Sequence, residues 1–178
     1  MSRTFSFIAF PSLALVAISL TACAGPRPMT AAKQEADRAF QYGQYDKAVV
    51  GYAEILERAP GDWQVEYRYG VSLAEVGNLA EARTHVETAY AANPASQEVA
   101  AGLAHVYFKL NEKQKLVQLL QQRGSNLNSL DSYMLLADYG IKMNDPDTAT
   151  MAVNGAILLA DGNNFQPYLM AVTVAEDV

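Results

Sequence analysis

Few residues of this chain have the type and spacing for bond-making chemistry. The two histidines, His85 and His105, fall in different parts of the sequence. No H-E-x-x-H, paired-cysteine spacing, G-x-x-x-x-G-K-[ST] or G-x-S-x-G occurs, so the common signatures of zinc hydrolysis, phosphate cradling and serine nucleophiles are missing. Asp145 and Asp147 flank Pro146 in the run Asn144 to Thr148. That is the setting in which an acidic side chain caps a following helix, and the pair reads as structural. The expectation is a protein that is not an enzyme and has no catalytic residue, no metal site, no cofactor and no small-molecule substrate. The one side chain placed for covalent chemistry is Cys23, the only cysteine, which follows Leu20-Thr21-Ala22. Ahead of it lie Arg3 and an apolar stretch from Phe5 to Leu20, the layout of a secretory leader.

An ordinary leader cleavage site carries small residues at both −1 and −3, but here −3 is Leu20. The run Leu20-Thr21-Ala22-Cys23 instead resembles a bacterial lipobox, whose pattern is Leu, a small residue, Ala or Gly, then Cys. The resemblance implies diacylglycerol transfer to the Cys23 sulfur, cleavage before it, and acylation of the new amino terminus. It makes residues 1–22 a signal peptide and residues 23–32 a lipidated tether. Ala24, rather than Asp, follows the cysteine. By resemblance to sorted lipoproteins, this favours the outer membrane with the domain facing the periplasm. Two other readings stand beside it. Phe5 to Ala22 is about long enough to remain as a spanning helix, or Cys23 is an incidental thiol beside a plain cleavage site. Pro11 and the single charge of Arg3 weigh against the first, and Leu20 against the second.

Removal of 22 residues from the 178 leaves 156, enough for one domain with a real core. The whole chain carries 13 basic and 19 acidic residues, a net charge of −6, and loss of Arg3 takes it to −7. Without a basic stripe an acidic domain is a poor nucleic-acid binder. It is also repelled by anionic headgroups, so membrane attachment falls to the lipid alone. With Cys23 acylated no disulfide is possible, and the fold must rest on packing.

The elements that position everything else repeat at a fixed period. Gly43 recurs as Gly77, Ala48 as Ala82, Tyr52 as Val86 and Pro60 as Pro94, each 34 residues on. A small Gly70 and Ala82 suit a close helix crossing, Gly77 allows a left-handed turn, and Pro94 ends a helix. Period and residue types together resemble the tetratricopeptide repeat. The resemblance implies an all-α, right-handed superhelix of about four helix-turn-helix units over residues 33–162, with boundaries near 33–62, 63–96, 97–129 and 130–162. The third unit is degenerate. Asn111 stands for the turn glycine, Leu116 for the small alanine and Asn128 for the closing proline, and Gly124-Ser125-Asn126 predicts that its second helix ends early. Ala149 falls one residue short of two periods from Ala82, which places a one-residue deletion in that unit. An apolar segment, Gln166 to Ala175, reads as a capping helix within residues 163–178.

With catalysis set aside, the remaining chemistry is recognition. In tetratricopeptide arrays the concave surface is built from first-helix residues that do not face the core. Carried onto this chain, those positions are Lys33, Asp37 and Phe40 in the first unit, and Gln64, Tyr67, Val71 and Glu75 in the second. The third gives Glu98, His105, Phe108 and Lys109, and the fourth Asp131, Met134, Asp138, Ile141 and Lys142. His85, on a second helix, should face outward. Such a mixture suits an extended or helical protein segment, although Phe40, Tyr67 and Phe108 equally suit the seals between neighbouring helices. Asp37 stands where a carboxylate-gripping tetratricopeptide clamp needs Asn, which argues against recognition of a C-terminal carboxylate.

The chain resembles the small lipoproteins that assist pilus and secretion machines, among them type IV pilotins and the tetratricopeptide lipoprotein of tight-adherence (Flp) pilus loci. Ala36-Asp37-Arg38-Ala39-Phe40, running into Gly43-Gln44-Tyr45, is the kind of opening such proteins show. The resemblance implies a non-catalytic scaffold that docks a secretin or pilus-assembly subunit and fixes it at the membrane through Cys23. Two alternatives are a barrel-assembly lipoprotein of the outer membrane, for which the chain is short, and a scaffold for cell-wall or polysaccharide enzymes.

Overall fold

The computed structural model describes residues 28–161 and 163–176, and the segment containing Cys23 lies outside them. The described residues form nine helices and no strand: α1 Met29–Gln41, α2 Tyr45–Arg58, α3 Trp63–Glu75, α4 Leu79–Ala92, α5 Gln97–Lys109, α6 Lys113–Asn126, α7 Leu130–Lys142, α8 Pro146–Leu159 and α9 Gln166–Glu176. Each packs mainly on its neighbours in sequence, and α3 on α5 and α5 on α7 join successive first helices. This is a helical repeat array with four two-helix units and a ninth helix on the end.

The turn inside each unit is closed in the same way. Gly43, Gly77, Asn111 and Asn144 all take positive φ, at 67°, 90°, 58° and 51°. The next residue's N–H then reaches back to a carbonyl of the first helix: Gln44 to Ala39, Asn78 to Leu73, Glu112 to Tyr107 and Asp145 to Gly140, at 2.8–2.9 Å. That is the six-to-one bond of a Schellman closure. Asparagine serves twice because it tolerates the left-handed region better than other side-chain-bearing residues. At the start of α3, α5 and α7 the side chains of Asp62, Ser96 and Ser129 accept a backbone N–H, satisfying a donor that the helix cannot.

The helix starts locate the deletion. α3 and α5 are entered through four residues, 59–62 and 93–96, but α7 through only 127–129. The missing residue therefore lies in that turn. The second helix does not end early, because α6 runs to Asn126, one full period after the end of α4. Gly124 stays helical, and the Tyr133 ring fills the space its absent Cβ would take, with ring carbons 2.7 Å from that position. α1 also begins at Met29, so the last four residues assigned to the tether are helical and Ala32 is buried.

Packing follows residue size. Gly70 faces Val86 and Ala82 across α3 and α4, and Gly140 meets the backbone of Ala149 across α7 and α8. These two pairs are the most closely packed in the array. α5 and α6 touch least of the four, and the wholly buried Leu116 stands there in place of the small alanine. A leucine at that crossing holds the helices further apart. Nearby, the buried Arg123 of α6 donates to the carbonyls of Pro94 and Ala95 and to Gln97 Oε1, tying the third unit to the four-residue turn before it.

Asp145 caps α8 as its flanking residues predict. It accepts the Thr148 N–H at 3.3 Å and the Thr148 hydroxyl, and meets Lys113 Nζ at 2.7 Å. The Lys113 contact and the Thr148 bonds hold its pKa below the ordinary aspartate value. A depressed carboxylate stabilises the fold above its unfolded pKa, near 4, and loses that contribution as pH falls through the folded value. Asp145→Ala should therefore cost about 1–2 kcal/mol at neutral pH. In urea melts the gap from wild type should narrow between about pH 5 and pH 2; a gap independent of pH would count against the ionised cap.

Candidate functional site

The sixteen first-helix residues fall into five columns, each running through the array at one helical position. In order along the helix they are Gln64, Glu98 and Asp131; Lys33, Tyr67 and Met134; Asp37, Val71, His105 and Asp138; Phe40, Phe108 and Ile141; and Glu75, Lys109 and Lys142. Offsets of three, four, three and one residue put all five on one side of the helix. The structure thus aligns the expected residues, but it uses many of them to join repeats.

The central columns are largely committed. Asp37 accepts the Tyr52 hydroxyl at 2.8 Å and pairs with Arg68 at 2.6 Å, so it links α1 to α2 and α3. Lys33 reaches the α3 cap Asp62 at 2.7 Å. Glu75 gathers Lys109 at 2.9 Å and His105 at 3.1 Å, and Lys109 also donates to the Ala74 carbonyl. Burial pushes the Glu75 carboxyl upward, but the hydrogen bonds from Lys109 and His105 and the Lys109 charge outweigh it, and its pKa lies below the ordinary value. Asp138 is bonded to Lys142 at 2.6 Å.

The aromatic positions divide. Tyr67 is buried, 9% exposed, with its ring lying where a Cβ on Gly102 would stand. It packs against the next repeat, one of the two roles its place on the first helix allows. Burial, with the Glu98 charge nearby, raises its phenol pKa to about 12. Phe108 is half-buried and lies 5.0 Å from the Tyr139 ring of the next unit, while Phe40 packs edge-on to Tyr45 and Tyr52. His85 does not simply face outward. It is half-buried, with Nδ1 2.6 Å from Glu66 Oε2 and its ring 4.6 Å from Tyr69.

What remains open is one edge of the surface. Gln64, Glu98 and Asp131 are exposed. Glu98 and Asp131 make no ion pair among the described residues. Met134 follows Asp131 by one turn, and half-buried Val71, Phe108 and Ile141 lie two to three turns further along the first helices than this acidic column. The combination is a set of apolar side chains along the first helices with acidic residues at one end. It can take a segment that presents aliphatic or aromatic side chains on one edge and Lys or Arg on the other.

No protein-family model matches the chain, and no curated protein matches it. Solved structures do match in fold. The crystal structure of MamA protein superposes with a TM-score of 0.63 at 21% identity, covering 84% of this chain and 81% of that one. A MamA RS-1 double mutant gives 0.62 at 18% identity, with coverages of 84% and 89%. A tetratricopeptide repeat protein from Parabacteroides merdae gives 0.64 at 15% identity, and there 84% of this chain spans 58% of the other. At these identities the likeness establishes the architecture, a tetratricopeptide-type array, as the 34-residue period implies.

Proposed function

We propose that this protein is a non-catalytic scaffold, anchored in the membrane through a lipid on Cys23, that binds a segment of another protein along its first-helix surface. The observation that carries the binding role is the exposed acidic pair Glu98 and Asp131 at the amino ends of first helices that carry half-buried Val71, Phe108, Met134 and Ile141 further along. Charges used elsewhere on this surface are already neutralised within the array, so these two remain to select a partner. The partner class we propose is a secretin or another pilus- or secretion-assembly subunit at the outer membrane, offering a basic, partly apolar segment. The support for that class is the lipobox-like run before the array and the resemblance to small lipidated assembly factors.

Crosslinking the protein in intact cells, recovering it from membranes and identifying its companion by mass spectrometry tests this. The double charge reversal Glu98→Lys/Asp131→Lys should cut recovery of that companion at least about tenfold, since like charges across an interface repel strongly. Circular dichroism should be unchanged, because both side chains are exposed. Unaltered capture by the variant would remove the acidic pair from the recognition site. Barrel-assembly proteins or cell-wall enzymes as companions would replace the proposed partner class. Cys23→Ser should release the protein from membranes or leave a larger precursor, and unchanged size and fractionation would refute the anchor.

A further inference from the structure

The open polar residues of the first-helix surface recur at a fixed interval, and that interval restricts the shape of what can lie on them. Gln64, Glu98 and Asp131 are each the second residue of their helix, in α3, α5 and α7. α3 touches α5, and α5 touches α7. Helices in contact lie with their axes about 8–10 Å apart. Glu98 and Asp131 are therefore consecutive stations about 8–10 Å apart, with the neutral amide of Gln64 one step beyond Glu98. All three are exposed. Burial, and then the Glu98 charge, raise the phenol pKa of Tyr67 on α3, so that carboxylate stands within electrostatic reach of the neighbouring first helix. One turn further along, Ala101 of α5 and Met134 of α7 are half-buried and hold matching places.

We infer that the partner segment bound there is an α-helix lying across the first helices, with Lys or Arg at two positions seven residues apart. This form of the partner rests on the binding role proposed for the same surface. Seven residues of α-helix advance about 10.5 Å and fall within about 20° of two full turns. Residues i and i+7 thus face the same way at nearly the interval of the two carboxylates. An extended segment cannot match consecutive stations. Its same-side residues recur at about 6.6 Å and about 13 Å, whereas i+3, with the right advance of about 10 Å, points to the opposite side. On a helix, i+3 and i+4 lie on the same face between the two basic residues. Apolar side chains there meet Met134 and Ala101, which gives the i, i+3, i+4, i+7 anchoring of a helix in a groove.

Fluorescence anisotropy on the purified full chain in a non-ionic detergent, with three labelled alanine-rich peptides of one length, tests this. The first carries two lysines seven residues apart with leucines at the intervening i+3 and i+4. The second moves one lysine to i+5, which turns it to another face. The third keeps the heptad spacing but has proline between the lysines, which breaks the helix. The first should bind at least about tenfold more tightly than either of the others, because only it presents both charges to both carboxylates. Glu98→Gln/Asp131→Asn should shrink that advantage to about twofold or less, with helical circular dichroism unchanged. Asp147→Asn, an exposed first-turn acid on the second helix α8, should leave every affinity as it was. Equal binding of the proline peptide, lost in the double variant, would overturn the helical form and leave acidic recognition standing. No binding of the heptad peptide at about 1 mM would overturn the inference. If the double variant lowers the melting temperature but not the affinity, the two acids serve the helix dipoles, and the inference falls together with the acidic recognition site.

Discussion

Gly70→Leu should destabilise the array by about 3 kcal/mol or more and lower its melting temperature by roughly 6–12 °C. A Cβ on Gly70 would lie 2.5 Å from Val86 Cγ2 and 3.0 Å from both the Ala82 carbonyl and the Val86 nitrogen. Val86 is β-branched and wholly buried, so it has no rotamer into which to withdraw. The remaining obstacles are backbone atoms of α4. Relief therefore requires α3 and α4 to separate, which forfeits contacts along one of the two closest helix pairs. Gly140→Leu should be at least as costly, since its Cβ would meet the Ala149 nitrogen and Cα at 2.7 and 2.8 Å. Thermal melts followed at 222 nm, with Ala80→Leu on the exposed side of α4 as a control, measure the effect. A glycine variant that melts with wild type would mean that these helices do not cross there.

Tyr52→Ala should cost about 3–5 kcal/mol, and Tyr52→Phe only about 1–2. Tyr52 is among the largest fully buried side chains and sits between α1 and α2 with Phe40 edge-on to it. Truncation to alanine leaves a cavity where an entire ring was. Burial, reinforced by Asp37, raises the phenol pKa far above its usual value, so the hydroxyl remains a donor to Asp37 across the working pH range. Phenylalanine keeps the ring and removes that one bond, and Asp37 retains Arg68 as a partner. Urea midpoints of the two variants separate the contributions. Equal losses would show that the bond to Asp37, and not the ring, holds α2 to α1.

The architecture is legible in the sequence because its constraints are local. A left-handed turn demands Gly or Asn at one position, and Gly43, Gly77, Asn111 and Asn144 mark all four turns in the sequence itself. The close crossing at Gly70 and Ala82 is readable for the same reason, since small residues in register mark the place where two helix backbones meet. Features that depend on which neighbour supplies the space are not. Tyr67 suits a groove contact and a helix seal equally until Gly102, one repeat away, proves to make room for it. Tyr133 is held between Gly124 and Gly155, so the glycine that reads as the end of α6 is a packing site within it. Pairs of small residues opposite an aromatic are the available signal. Arg123 has none, because nothing in its local pattern separates a buried guanidinium from a solvated one. The columns of the recognition surface can be aligned from the period, but their pairing cannot. The pairing of Glu75 with Lys109 and His105 is a property of distance, not of spacing.

The turn-by-turn wiring of the array also governs how quickly it can form. Among the described residues, the hydrogen bonds that reach furthest along the chain span 35 residues, from Lys109 to Ala74 and from Ser132 to Gln97. None of these has to wait for distant parts of the chain to find each other. Loop-closure entropy is small at every step, and topologies of this sort fold rapidly. Each unit can complete its contacts once the next first helix has been delivered, so the chain can fold from its amino end while the remainder is still emerging. The last described helix, α9, can find α7 and α8 already in place to pack on.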